Sequence, residues 1–233
     1  MVMPCLLYNL MVKSLFNVGA VLPAAGLGTR FGEKKQFKYL ANKPLFLYSL
    51  NIFLKCKKIT EIVIVTNKED VEYIYKETES LKTKKHIKVI AGGPRRQDSV
   101  MNGCLALSNS IKFVTIHDIV RPFVTNDLIL STILGCNDND GCIAALLSND
   151  TVKEVKNLNI VRTIDRDKIW LAQTPQTFKK KVLLEAMTNH NATDEASMVE
   201  AAGGAVAVTE GSIMNFKITT IDDWKLAEKV VYG

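Results

Sequence analysis

A glycine-bearing loop with its own cations, Pro23–Phe37 (PAAGLGTRFGEKKQF), is the stretch whose residue types and spacing could do chemistry. Gly26 and Gly28 would let backbone N–H groups approach a phosphate, and Arg30, Lys34 and Lys35 would bring positive charge to it. Two familiar phosphate loops do not fit. A dinucleotide fingerprint needs G-x-G-x-x-G, but Phe31 stands at the third glycine position, and Leu45–Asn51 holds no carboxylate to bind a ribose. A Walker A loop needs G-x-x-x-x-G-K-[ST], and neither Gly26 nor Gly28 begins one. A nucleoside triphosphate loop and a plain structural turn both remain.

Further candidates follow predicted strands or open predicted helices. Asp118 ends the run KFVTIHD, where a carboxylate could ligate a metal, accept a substrate hydroxyl or cap the loop; Arg121 lies in the same turn. Ser99, near the start of a helix, could bond a base or cap the helix, and Arg96 precedes it.

The elements that must position these residues alternate. Strands are predicted at Val18–Ala25, Glu61–Thr66, in HIKVIAGG, and at Lys112–Asp118, Cys142–Leu147 and Ala205–Val208. Helices are predicted at Leu45–Cys56, Asp70–Leu81, Gln97–Leu107, Asn126–Leu134, Lys179–Asn189, Asp194–Ala201 and Asp222–Val231. This rhythm predicts an α/β fold: a Rossmann-like, three-layer, mostly parallel sheet. It breaks at about 148–164, where alternating stretches flank Asn157-Leu158-Asn159 and predict a protruding β-arm. Trp170 and Trp224 read as core. Residues 1–12 read as an N-terminal extension and 13–233 as a single domain carrying the arm, which suits a chain of 233 residues.

Composition narrows the function classes. No apolar run approaches the ~20 residues of a membrane span. Five scattered cysteines without a CxxC pair argue against a disulfide framework or zinc site and for a reducing cytoplasm. The net charge of +6 comes largely from dispersed lysines, and the aromatic motif of an RNA reader is absent, so no specific nucleic-acid partner is expected.

The loop Leu22–Phe37 resembles the signature loop of sugar-phosphate nucleotidyltransferases, and most nearly that of the 2-C-methyl-D-erythritol 4-phosphate cytidylyltransferases of isoprenoid precursor synthesis. Gly92–Val100 (GGPRRQDSV), His117–Phe123 (HDIVRPF), Thr163–Phe178, Thr193–Glu200 (TDEASMVE) and Asn215–Glu228 resemble that family too, in order, over about Val18 to Val231. The resemblance implies transfer of a cytidylyl group from CTP to methylerythritol phosphate, with Mg²⁺ carried mainly by the CTP phosphates. It implies Arg30 and Lys35 as the catalytic cations; Lys35 is chosen over Lys34 because it directly precedes Gln36-Phe37. It implies Ala24, Ala25, Gly26, Gly28, Gly93, Arg96 and Ser99 around the nucleotide. Asp118, Arg121, Thr151, Arg166, Thr193 and Lys217 would surround the methylerythritol phosphate. His117 is expected to be structural, because this reaction gives it no proton to carry. A homodimer through the arm, with Arg166 serving the other subunit's site, is also implied. Ribitol-5-phosphate cytidylyltransferases share the loop and the HD–RPF segment, but differ near TDEAS; a non-catalytic nucleotide-binding module is the reading of another class.

Overall fold

The computed structural model describes residues 17–233 apart from 190, 191 and 193. The expected extension at residues 1–12 lies outside the described residues. A seven-stranded sheet forms the centre, in the order β11-β7-β10-β6-β1-β4-β5. Its strands are β1 (Val18–Pro23), β4 (Ile59–Thr66), β5 (His86–Ala91), β6 (Phe113–Ile116), β7 (Gly141–Leu147), β10 (Trp170–Lys179) and β11 (Val206–Glu210). A small pair, β2 (Tyr39–Leu40) and β3 (Lys43–Pro44), follows the glycine loop. Neighbours are parallel except for β10, which runs antiparallel to both β6 and β7.

The helices are α1 (Phe46–Lys55), α2 (Val71–Glu79), α3 (Arg96–Ala106), α4 (Asn126–Gly135), α5 (Lys180–Asn189), α6 (Glu195–Ala201) and α7 (Ile221–Tyr232). The two-residue period of the strands sorts them into two layers. Ala20, Leu22, Ile62 and Ile64 pack against Phe46 and Phe53 of α1, Ile74 of α2 and Ile129 of α4. The alternate residues Val21, Val63 and Val65 pack against Val100 and Cys104 of α3, Leu183 of α5 and Val199 of α6 on the other face. Most of these side chains are fully buried, and each Val, Leu, Ile or Phe among them contributes about 1.5–3 kcal/mol by leaving water. A third cluster seats Trp224 and Ala227 of α7 on Phe31, Leu40 and Leu45, which anchors the far end of the glycine loop.

The strand β10 is absent from the sequence expectations. Thr174-Pro175 interrupts it, proline cannot donate to a ladder, and its pairing with β7 shifts register between Ala172 and Gln176. The arm is a separate two-stranded sheet, β8 (Val152–Lys156) with β9 (Asn159–Ile164), joined by a two-residue turn. Asn157 and Leu158 both have positive φ, 50° and 63°, as a primed turn demands. Trp170, expected in the core, is 43% exposed, because it starts β10 beyond the covered part of the sheet.

Candidate active site

In a parallel sheet the loops that follow successive strands leave from the same edge. The chain steps from β1 to β4 on one side and later returns to β6 on the other, so β1 marks a switch in strand order, where open sheets form a crevice. The loops after β1, β5 and β6 meet there around a cleft of about 420 Å³. Its walls include Ala24, Ala25, Gly26, Gly28, Arg30, Lys35, Gly93, Arg96, Ser99, Asp118 and Lys217.

The glycine loop is held from beneath by Gln36, which is buried and donates from Nε2 to the carbonyl oxygens of Ala24 and Gly26, both at 2.9 Å. Ala24 N–H is used by the carbonyl of Val65 at 2.6 Å, which ties the loop to the end of β4. Gly28 is irreplaceable in this path: its φ is +70°, and a Cβ there would lie 1.8 Å from the carbonyl oxygen of Glu33. Across the cleft, Ser99 does not cap α3; its hydroxyl accepts the N–H of Gly93 at 3.1 Å and fastens the Gly92-Gly93 turn. Those glycines permit the close approach, since a Cβ on Gly92 would lie 2.4 Å from Ser99 Oγ.

The two adjacent lysines have different fates. Lys34 turns away: its Nζ meets Asp70 at 2.7 Å and Glu69 at 3.1 Å, and the hydrogen bond to Asp70 raises its pKa. Lys35 faces the cleft and makes no ion pair among the described residues. Burial lowers its pKa, and Lys217 and Arg30 lower it further. Three cations therefore face a common space and repel one another there, a field that an anion relieves.

Asp118 organises the opposite wall. Its Oδ1 accepts from Arg96 Nη2 at 3.1 Å and Nε at 3.3 Å, and its Oδ2 accepts from Lys217 Nζ at 2.8 Å. Burial alone would raise its pKa, but Arg96, Lys217 and Arg121 hold it well below the usual carboxylate range. Arg121 stands behind Asp118 rather than among the cleft's lining residues; its Nη1 donates to the carbonyl of Asn215 at 2.8 Å. That bond, with those of Asn215 Nδ2 to Gln173 Oε1 at 3.1 Å and the Thr174 carbonyl at 2.8 Å, fastens the segment that carries Lys217 to β10. His117 is fully buried, bonded to Thr174 Oγ1 at 3.1 Å and to the Arg121 carbonyl at 3.2 Å, and burial pushes its pKa down to about 4.

Thr151 and Arg166 stand apart from the cleft of their own chain. Thr151 is exposed just before β8, and Arg166 is exposed after β9, with Nη1 donating to the Asn149 carbonyl at 2.8 Å. Thr193 lies outside the described residues. The sequence reading missed Gln36, Thr174, Gln173 and Asn215, whose uncharged side chains carry no signal of chemistry; their roles rest on contacts between distant segments.

The family model described as 2-C-methyl-D-erythritol 4-phosphate cytidylyltransferase matches residues 18–232. The chain belongs to that family. Among cytidylyltransferase relatives of that name, the protein of Aquifex aeolicus is 39% identical over 217 residues, 91% of this chain and 96% of its own. That of Alkaliphilus oremlandii is 34% identical over 229 residues, 94% of this chain and 97% of its own. The crystal structure of 4-diphosphocytidyl-2C-methyl-D-erythritol synthase from Anaerococcus prevotii superposes with a TM-score of 0.84 at 29% identity, covering 94% of this chain and 97% of that one. Membership in the cytidylyltransferase family makes the chain an enzyme of the nucleotidyltransferase class.

Proposed function

We infer that this enzyme transfers a cytidylyl group from CTP to 2-C-methyl-D-erythritol 4-phosphate and releases pyrophosphate, a step of isoprenoid precursor synthesis. The observation that carries this reading is the convergence of Arg30, Lys35 and Lys217 on one cleft, with the charge of Lys35 already under strain. A phosphate oxygen of the polyol phosphate attacks the α-phosphorus in line, and the pyrophosphate oxygen leaves with the bonding electrons. The nucleophile is anionic at neutral pH, since a phosphate monoester loses its second proton near pH 6, so no general base is required. The protein's work is to bring two repelling anions together and to stabilise charge on the equatorial oxygens. Arg30 and Lys35 take that part from the glycine loop, whose backbone N–H groups add donors. Ala24, Ala25, Gly93 and Ser99 line the base pocket. Asp118 and Lys217 take the polyol phosphate, with Arg121 supporting Asp118.

Mg²⁺ belongs with the nucleotide in this reading. Among the described residues no group of three or more His, Cys, Asp or Glu could hold a metal, and both oxygens of Asp118 are engaged by cations. Triphosphate oxygens and water would make up the ion's coordination, where it neutralises phosphate charge.

The working unit in this reading is a homodimer joined through the arm. Leu158 at the arm's tip is 97% exposed and holds φ +63°, and Ile160, Val161, Leu171 and Trp170 are exposed nearby in sequence. Apolar residues on an unpaired two-stranded arm favour a partner, and Arg166 and Thr151 would then reach the partner's cleft. A cytoplasmic location is supported by the described cysteines, Cys56, Cys104, Cys136 and Cys142, all buried free thiols. No helix among the described residues is long and apolar enough to cross a membrane.

The test is pyrophosphate release over a matrix of four nucleoside triphosphates and several polyol phosphates. Turnover is expected only with CTP, Mg²⁺ and methylerythritol phosphate together. Faster turnover with ribitol 5-phosphate, or with UTP, overturns the assignment.

A further inference from the structure

Behind Arg96, itself in the wall of the cleft, stands a carboxylate that none of these roles uses. Glu195, the first residue of α6, is fully buried. Its Oε1 accepts from Arg96 Nη1 at 2.7 Å, while Oε2 is buried with no hydrogen-bond partner among the described residues. Arg96 turns its other edge, Nε and Nη2, to Oδ1 of Asp118. One guanidinium is thus gripped between two carboxylates, one from the loop after β6 and one from α6.

We propose that Glu195 is a positioning residue for cytidylyl transfer, holding Arg96 so that it engages only one oxygen of Asp118 and leaves the other to Lys217. A planar guanidinium and a carboxylate left to themselves favour the two-pronged fork, in which Arg takes both oxygens. That fork would compete with the 2.8 Å bond from Lys217 to Oδ2 and would draw Asp118 from the cleft face. The Nε–Nη2 edge of Arg96 already faces Asp118, so the fork needs only a shift of Nη2 towards Oδ2, and the 2.7 Å bond from Nη1 to Glu195 on the opposite side resists that shift. The cluster of Arg96, Arg121 and Lys217 against Asp118 and Glu195 is then left with one surplus positive charge, suited to an arriving phosphate. Burial raises the pKa of Glu195, and Arg96 is the group that opposes this.

The inference rests on the placement of the polyol phosphate at Asp118 and Lys217, and the experiment separates the two. Lys217→Ala tests the placement alone: a large rise in KM for methylerythritol phosphate supports it, and no change removes it. Glu195→Ala is then expected to raise that KM by about tenfold or more, the equivalent of one hydrogen bond to a charged group, with kcat within about threefold of wild type. Glu195→Gln keeps an acceptor oxygen and should recover most of the loss. In a double-mutant cycle, Arg96→Ala/Glu195→Ala should be no worse than Arg96→Ala, because Glu195 acts through Arg96. Unchanged kinetics in folded Glu195→Ala, no rescue by Glu195→Gln, or losses that multiply in the double variant each overturn the proposal. If thermal melting shows Glu195→Ala unfolded, the same cycle run with Glu195→Gln decides: a few-fold rise in KM beside Arg96 and none beside Ala at that position is expected.

Discussion

Lys34 and Lys35 are chemically identical neighbours with different surroundings. Lys34 spends its charge on Asp70 and Glu69, whereas Lys35 keeps its charge for the cleft. Lys35→Ala is therefore expected to lower kcat by at least ~10², the scale for removing a preorganised donor to developing charge, with a smaller effect on KM. Lys34→Ala is expected to leave kcat within a few-fold of wild type, because it loses a partly exposed ion pair. Steady-state kinetics on the two variants checks this, and a crippled Lys34→Ala beside a mild Lys35→Ala would reverse the roles. His117 makes a second prediction at this scale. It lies among Asp118, which favours its proton, Arg121, which opposes it, and the ring of Phe53 at 5.3 Å, and burial holds its pKa near 4 against 6.5 ordinarily. Between those values the unfolded chain binds a proton that the folded chain refuses. This contribution is whole above pH 6.5 and is lost as pH falls towards 4, by up to ~3 kcal/mol. Denaturant unfolding of wild type and His117→Asn across that range should show a shallower loss in the variant; parallel curves would contradict it.

At the scale of elements, the glycine loop works because Gly28 turns it and Gln36 holds it. Gly28→Ala places a Cβ against the Glu33 carbonyl at a φ that alanine rarely adopts. The strain is about 1–3 kcal/mol, and the loop must move to relieve it. Since a displacement of about 1 Å can lower rate ~10²-fold, activity should fall far more than stability. A melting temperature within a few degrees of wild type beside a large loss of kcat/KM is the expected pair of results. Wild-type kinetics in this variant would mean that the loop path is not needed. The position of β10 explains why so many uncharged residues matter: Gln173 and Thr174 link the Asp118 turn to the segment that bears Lys217.

At the scale of the molecule, Lys35 lines the cleft while Arg166 lies outside it on the same chain. If a twofold pairing carries Arg166 into the partner's cleft, a heterodimer of Lys35→Ala and Arg166→Ala subunits has one site with both defects and one with neither. Random exchange makes about half the dimers mixed, so about a quarter of wild-type activity should return when the two inactive proteins are mixed. No recovery after proven subunit exchange, or a monomer by light scattering, excludes the shared site.

Local chemistry was enough to read most of the elements and the loop. The continuous apolar runs of β1 and β4, rich in β-branched residues, and the helical apolar spacing of α1 depend on neighbours along the chain, so the α/β class was legible from the sequence, and the glycines and cations of Pro23–Phe37 marked the loop as a candidate phosphate site. The ordered segments, from the glycine loop to NFKITT, carried the family resemblance for the same reason. Strand β10 was not legible, because Thr174-Pro175 and the glutamines around it look like a loop until β6 and β7 supply pairing on both sides. Nor could local pattern tell that Lys34 turns to Asp70, that Arg121 backs Asp118 or that Trp170 stays exposed. Each depends on a contact, or on the lack of cover, between segments far apart in sequence, and only the tertiary fold sets those distances.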